Sequence, residues 1–597
     1  MKKIMVILIV LAVSSIGADS YFSPARSPQI PKYQEPVGKC GDGMCDAFEK
    51  KNPDVCLRDC VNEHPSLPAL VGKCGDKICD AFEKAHPNAC PEDCADAIIK
   101  DKEVYPCPSF MPSAPSFYEN CLQKGGSVTP GGKNDKGCLM PPQCVLPMES
   151  SEEIKTSKTV NEDSPFGFHE NLFEEKYFAD VGAKWIRLSG PVGLVWDADE
   201  PEPGRFDWSR LDKAVNYYSK IADNILLTLN SFNRLDQEAS HLPKHKIPNN
   251  PAMYGKYLKT AAARYPQVNY FQIENEPANE WADTPENFAE LVKVSADAIK
   301  EVNSRAKIVL AGAAVPGEFE YFYRPLLKEL KRLERQDGVK YLNAVDIHWS
   351  GQFENKDKSQ ATYRNATISK RNYNYKAEIE VIRKILDDSG YKDAEIWVTE
   401  MSDYSGNPSD PVYLDQSERE QAGELFKRYV YSLAIGVKKI FWVALMEFHN
   451  FGGVGVNNYW DNVGLVNNPL NDGESHKKLS YYAYKKMVDV LEGCDWNHIQ
   501  TIREKDGVYV YKFIKSGKPI WVAWNDGDSE KDVVIEGIRS EEVKITESVP
   551  DYSSGKDIHD DFGAFSVKIE RVGNGKARIK IKDIPVFVEE SRSVPSP

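Results

Sequence analysis

The segment YFQIENEPANEW, Tyr270 to Trp281, carries an apolar run into three carboxylates, Glu274, Glu276 and Glu280. A second apolar run, EIWVTE, ends on Glu400. Acids at a strand end have an ordinary explanation, because carboxylates are favoured in the first turn of a following helix. Two carboxyls held across one reacting centre have another use. One can give a proton to a leaving oxygen while the other, ionised, attacks the carbon being vacated. Whether Glu276 and Glu400 can meet depends on the elements that carry them.

From Ser164 onward, short apolar runs alternate with helical patterns. PFGFH (165–169), KWIRLSG (184–190), NILLTLN (224–230), VNYFQIENE (268–276), KIVLAG (307–312), NAVDIHW (343–349), EIWVTE (395–400) and KKIFWVAL (438–445) read as strands. Helices are expected between them at 171–181, 208–221, 253–265, 285–302, 321–333, 376–388 and 418–435. Near-continuous apolar strands are what a parallel sheet buried on both faces requires. Eight strand–helix units over 164–493 predict an α/β fold, a (β/α)₈ TIM barrel. A doubly wound sheet is the rival, but no glycine-rich GxGxxG follows the first strand. Residues 494–597 read as an all-β sandwich with strands DGVYVYKFI, KPIWVAWN, KDVVIEG, EEVKITESV, AFSVKIERV and KARIKIKD.

In such a barrel the chemistry sits at the C-terminal ends of the strands. Those ends supply His169, Arg187, Asn230, Asn275, Glu276, His348, Trp349, Glu400, Trp442 and Glu447. Three strand–helix units separate Glu276 from Glu400, so the two acids face each other across the barrel mouth. Hydrolysis of a glycosidic bond needs such a pair, with carboxyls about 5–5.5 Å apart where one acts as nucleophile. Glu274 is expected one layer deeper, as the structural partner of a buried base, and Glu280 as an ordinary first-turn or loop acid. His449 and Asn450, in the loop after the last strand, are candidates for substrate contact.

Asn275-Glu276-Pro277 is similar to the Asn-Glu-Pro signature of the clan A glycoside hydrolases, and IWVTEMSDY (396–404) resembles that clan's nucleophile strand. EPEPGRFDWSRLD (200–212), QAGELFKRYVYSLAIGVKKIFW (421–442) and the stretch 462–493 resemble further clan segments, so the likeness covers nearly all of 164–493. Barrel plus sandwich most resembles the β-xylosidase and arabinofuranosidase branches. The resemblance implies a retaining glycosidase acting on β-linked glycosides or polysaccharides, with Glu276 as acid/base and Glu400 as nucleophile. It implies that Asn275 bonds the sugar 2-hydroxyl and that Arg187 orients Glu400. His348 and Trp442 would line the subsite of the cleaved sugar; His169, at the end of the first strand, is either a further sugar contact or a hydrogen-bonded core histidine. No cofactor is implied for catalysis. Clan members often carry a Tyr just after the sixth strand to bond the nucleophile; here the residue is Trp349. A transglycosylase using the same pair and a binding protein with an inactive barrel are the alternatives.

The N-terminus bears on location. Lys2-Lys3, the apolar run Ile4–Val13 and the small residues to Ala18 have the layout of a secretory signal peptide over 1–18, too short to span a bilayer. Twelve of the 13 cysteines lie between Cys40 and Cys144. In an exported chain, clustered cysteines predict a disulfide framework. Within 19–98, the segments 40–60 and 74–94 repeat with a period of 34; they resemble the CGDGxC repeats of secreted microbial proteins. Asp42, Asp46, Glu49 and Asp59, then Asp76, Asp80, Glu83 and Asp93, recur at matching places. Oxygen ligands in a stapled loop suit calcium; the alternative is that these acids are simply solvated. A third cysteine module is expected at 99–148 and a polar linker at 149–163. Lys plus Arg number 75 against 90 Asp plus Glu, a net charge of −15. That balance argues against nucleic acid or an anionic membrane as partner. Eleven Trp, 29 Tyr and 24 Phe suit sugar stacking as well as core filling. The expected partner is an oligo- or polysaccharide and the expected location extracellular or cell-surface, with surface attachment through the cysteine modules.

Overall fold

The computed structural model describes residues 127–129, 143–145, 161–169, 175–238, 244–313, 317–349, 375–410, 413, 415–527, 529–559 and 563–591. The expected signal peptide, both cysteine repeats with their eight acids, nearly all of the third module and the segment 350–374 lie outside them. The chain divides into two compact units, Met1–Thr156 and Ser157–Pro597. In the first, the described residues form one antiparallel pair, Ser127–Thr129 with Gln143–Val145.

The second unit begins with eight parallel strands, each followed by a helix. The strands are β1 (Phe166–His169), β2 (Trp185–Leu188), β3 (Asn224–Asn230), β4 (Tyr270–Ile273), β5 (Lys307–Leu310), β6 (Ala344–His348), β7 (Glu395–Met401) and β8 (Lys439–Trp442). The helices are α1 (Glu175–Val181), α2 (Ser209–Ile221), α3 (Pro251–Arg264), α4 (Pro285–Val302), α5 (Arg324–Asp337), α6 (Tyr375–Asp388), α7 (Glu418–Ala434) and α8 (Leu479–Leu491). β8 pairs with β1 through Ile440–Phe166 and Trp442–Phe168, so the barrel closes. Its floor is a buried apolar layer of Trp185, Leu226, Tyr270, Val309, Ala344, Trp397 and Phe441. Residues 161–163, expected in the linker, join the barrel instead. Asn161 and Ser164 both donate to the Glu492 carboxylate at 2.6 Å, and Glu162 pairs with Lys307 at 2.7 Å.

Beyond the barrel lie β9 (Gln500–Lys505), β10 (Val508–Lys515), β11 (Lys518–Asn525), β12 (Lys531–Glu536), β13 (Glu542–Glu547), β14 (Val567–Arg571), β15 (Lys576–Ile581) and β16 (Val586–Glu590). Six form one antiparallel sheet in the order β9-β10-β11-β16-β13-β14, and β12 pairs with β15. Val510, Trp521 and Val588 of the sheet meet Ile535 and Ile579 of the ribbon in a common core, which makes the sandwich. Alternation fixes this: the opposite faces of β10 and β11 carry Tyr509, Tyr511, Val522 and Trp524 into the barrel's own core. Phe426 of α7 meets Phe587 edge to face at 5.1 Å. Lys427, fully buried, pairs with Glu424 of its own helix and, across the same junction, with Asp526 and Asp583. Cys494 at the junction is buried and free. Among the described residues no helix is long and apolar enough to cross a membrane.

A shared core predicts shared unfolding. Phe587→Ala should cost about 3 kcal/mol and lower the midpoint of a single denaturant transition seen alike by circular dichroism and tryptophan fluorescence. Two separated transitions in the wild-type second unit would contradict it.

Candidate active site

Counting by twos from the apolar floor toward the C-terminal ends reaches a polar layer. Trp185 is followed by Arg187, Leu226 by Thr228, Tyr270 by Gln272, Ala344 by Asp346 and Trp397 by Thr399. All five are buried and bonded to one another. Gln272 Oε1 accepts from Arg187 Nε at 2.7 Å and from Thr228 Oγ1 at 2.9 Å. Asp346 Oδ2 accepts from Thr399 Oγ1 at 2.8 Å and from Gln272 Nε2. This layer is a platform for the residues above it.

Arg187 has no exposed surface and spends its guanidinium on three partners. Besides Gln272, its Nη1 donates to Glu400 Oε1 at 2.7 Å and its Nη2 to Asn275 Oδ1 at 2.8 Å. Register brings the rest together: His169 lies opposite Arg187, and His348 opposite Glu400. His348 Nδ1 is 2.7 Å from Glu276 Oε1 and 3.6 Å from Glu400 Oε2. His169 Nε2 is 2.8 Å from Ser189 Oγ and 3.8 Å from Glu400 Oε1. Glu276, His348 and Glu400 each offer one atom within 4.8 Å of the other two. That is the set a metal ion would find, though Arg187 already occupies one side of Glu400.

Thr399 and Glu400 are neighbours in sequence, yet both point inward, which a regular strand forbids. The pairing of β7 slips between Val398 and Glu400 against β6, and again beside β8. This bulge re-aims Glu400 toward Arg187. On the other side, β4 stops at Ile273, and Glu274 and Glu276 take left-handed backbone with φ of 63° and 37°. Strand alternation therefore does not extend to 276 as the sequence reading assumed. The left-handed turns cost about 1 kcal/mol each and lead into a one-turn helix, Pro277–Glu280.

Charge sets the protonation of these groups. Burial pushes the Glu400 carboxyl up, but His348 and Arg187 outweigh it and hold it at about 2. Burial alone would depress His348; the charges of Glu400 and Glu276 reverse that and lift it to about 9. Burial raises Asp346 to about 6 against the pull of His348 and Arg187. Glu274 is buried, paired with His245 at 3.1 Å, and accepts from Ser231 N at 2.6 Å. Glu280 is not an ordinary surface acid. Burial and then the charges of Glu276 and Glu274 raise it to about 8.

The structure thus brings together Arg187, Asn275, Glu276, His348, Glu400 and His169. Trp442 is apart from them in one respect: it is fully buried, and its indole N–H donates to Val463 O at 3.3 Å. Trp349 is buried as well, stacked on Tyr375 at 3.8 Å. Glu447 is bound to Lys478 and to the loop of Asn468 and Asn471. Thr228, Gln272, Asp346 and Thr399 were missed, although continuing the alternation inward from Arg187 and His348 would have found them. Gly312 was missed too. A Cβ there would fall well inside contact distance of the His348 ring and the Asp346 carboxylate.

No protein family matches the sequence, and no curated protein matches it. Solved structures are similar to this chain. A family 39 glycoside hydrolase from the gut symbiont Bacteroides cellulosilyticus WH2 is 17% identical, with 72% of this chain and 81% of that chain covered at a TM-score of 0.52. A family 30 subfamily 8 xylanase from Clostridium acetobutylicum is 15% identical, covering 72% and 96% at 0.46. An α-L-arabinofuranosidase from Thermotoga maritima is 11% identical, covering 70% and 89% at 0.45. At such identities the likeness of the first speaks for the fold.

Two outcomes follow for this site. His348 binds its proton more tightly folded than unfolded, with about 9 against an ordinary 6.5. The stability it adds is full below about pH 6.5 and is lost as pH rises through about 9. Urea denaturation should therefore show the wild-type advantage over His348→Gln shrinking across that window; a gap that widens with pH would refute the charge assignment. Gly312→Ala should destabilise by about 1–3 kcal/mol and displace the imidazole, which a crystal structure of the variant would register.

Proposed function

We propose that this protein is a retaining glycosidase that cleaves β-linked glycosides by double displacement. The observation that carries the reading is the short span between the two glutamates, with one oxygen of each inside 4.8 Å. Retaining enzymes hold their carboxyls about 5–5.5 Å apart, whereas inverting enzymes leave about 6.5–9.5 Å for a water molecule. That a family 39 glycoside hydrolase shares the fold agrees with it.

In this scheme Glu400, kept ionised by Arg187, attacks the anomeric carbon. The bond to the leaving oxygen breaks as Glu276 delivers a proton, shared with His348 Nδ1 across their 2.7 Å hydrogen bond. Water then gives its proton to Glu276 and attacks the same carbon, releasing Glu400. Asn275, locked by Arg187, is placed to bond the sugar 2-hydroxyl, where the interaction strengthens as the ring flattens. His169 and His348 line the cleaved sugar. The substrate is an oligo- or polysaccharide. Export through the leader 1–18, attachment through the cysteine modules and calcium in their acid-bearing repeats complete the proposal.

Glu400→Ala should lose at least about 10³-fold in kcat and recover part of it in azide, releasing an α-glycosyl azide. A β-azide, or full activity in the variant, would defeat the assignment of nucleophile. Glu276→Ala should spare aryl glycosides with activated leaving groups far more than natural substrates. Equal losses on both would mean that another group supplies the proton.

A further inference from the structure

A cavity of about 670 Å³ opens between the loop after β7 and the long loop joining β8 to α8. Neither Glu276 nor Glu400 lines it. Loops that follow strands lie on the C-terminal face of the barrel, so it shares a face with the acid pair. Amides and imidazoles form much of its wall, among them Asn450, Asn471, His449 and His476, beside the apolar Val456 and Leu470.

The polar side chains are fixed in place by one another. His449 Nδ1 is 2.7 Å from Asn471 Oδ1, and its Nε2 is 2.6 Å from Asn450 Nδ2. An amide nitrogen only donates, so Nε2 accepts and the ring carries its proton on Nδ1. Asn471 Nδ2 donates onward to Phe448 O at 3.0 Å and to Glu447 Oε2 at 3.4 Å. Glu447 pairs with Lys478, and both are buried, so their charges cancel inside the wall. Lys478 Nζ also donates to Ser405 Oγ at 3.0 Å.

What faces the opening is therefore a pre-ordered set of donors and acceptors, in which the carboxylates of Asp461 and Glu418 are held by backbone N–H groups, beside exposed aliphatic surface with Leu470 70% and Val456 44% exposed. Pre-ordering removes much of the entropic cost of binding. The volume falls within the roughly 300–1,000 Å³ of small-molecule sites. Hydroxyls would meet the amides and the imidazole, and a C–H face would meet Val456 and Leu470. We propose that this cavity is a second carbohydrate site, which binds a neutral oligosaccharide and holds substrate chains close to the acid pair. The choice of sugar as ligand rests on the function proposed above.

The test is titration calorimetry on Glu400→Gln with xylotriose, cellotriose and mannotriose, repeated with Asn471→Ala and with Val456→Trp added. Asn471 is exposed, so its truncation should leave the fold intact, and thermal denaturation checks this for both variants. At least one trisaccharide should bind about fivefold more weakly with Asn471→Ala, the size expected for one or two lost hydrogen bonds. Val456→Trp, which fills the cavity, should weaken it further. Unchanged binding of all three sugars in both variants, or no binding at all, overturns the second site. Turnover of aryl β-glycosides by the wild type is measured separately. Turnover without any effect on binding defeats only the second site; cavity binding without turnover defeats only the glycosidase.

Discussion

One buried guanidinium organises the barrel mouth. Arg187 is fully buried, and its three nitrogens are spent on Gln272, Glu400 and Asn275. A buried cation is tolerable only when charge and hydrogen bonds replace the water it has lost. That requirement places a carboxylate at β7, an amide oxygen after β4 and a glutamine beneath them. The same arrangement keeps Glu400 ionised and fixes the rotamer of Asn275. Structural necessity and chemical use coincide in this residue.

The layers below follow from that constraint. A parallel barrel is filled by side chains at alternate positions, and here the floor is aromatic and aliphatic. One step up, the same strands carry Thr228, Gln272, Asp346 and Thr399, which would be costly if unpaired but are bonded together. Above them His348 stands between the two glutamates as a cation, which relieves the repulsion two carboxylates would otherwise feel at such a distance. Gly312 supplies the space in which His348 and Asp346 lie side by side.

Much of this was legible in the sequence. Eight apolar runs spaced by helical patterns gave the barrel, because burial on both faces leaves little freedom in strand composition. β3 was read to the residue, and the ends of β4 supplied the acid and amide at once. What failed were features created by departures from regularity. The bulge at Thr399 and the left-handed residues Glu274 and Glu276 re-aim side chains, and no local residue preference announces them. Trp442, read as a sugar contact, is turned into the core. β9 escaped notice because it is almost wholly exposed, with no apolar alternation, and β16 because its apolar run is only three residues long. Glu280 looked like a helix-start acid, and only the crowding of three carboxylates around one turn marks it as different.

The central claim is that Glu276 and Glu400 act on one anomeric carbon in two displacements. The most direct measurement is proton NMR of the first sugar released from an aryl β-glycoside, recorded before mutarotation sets in. The account predicts the β-anomer as first product, since two inversions restore the starting configuration. First appearance of the α-anomer would mean a single displacement by water, and would contradict it.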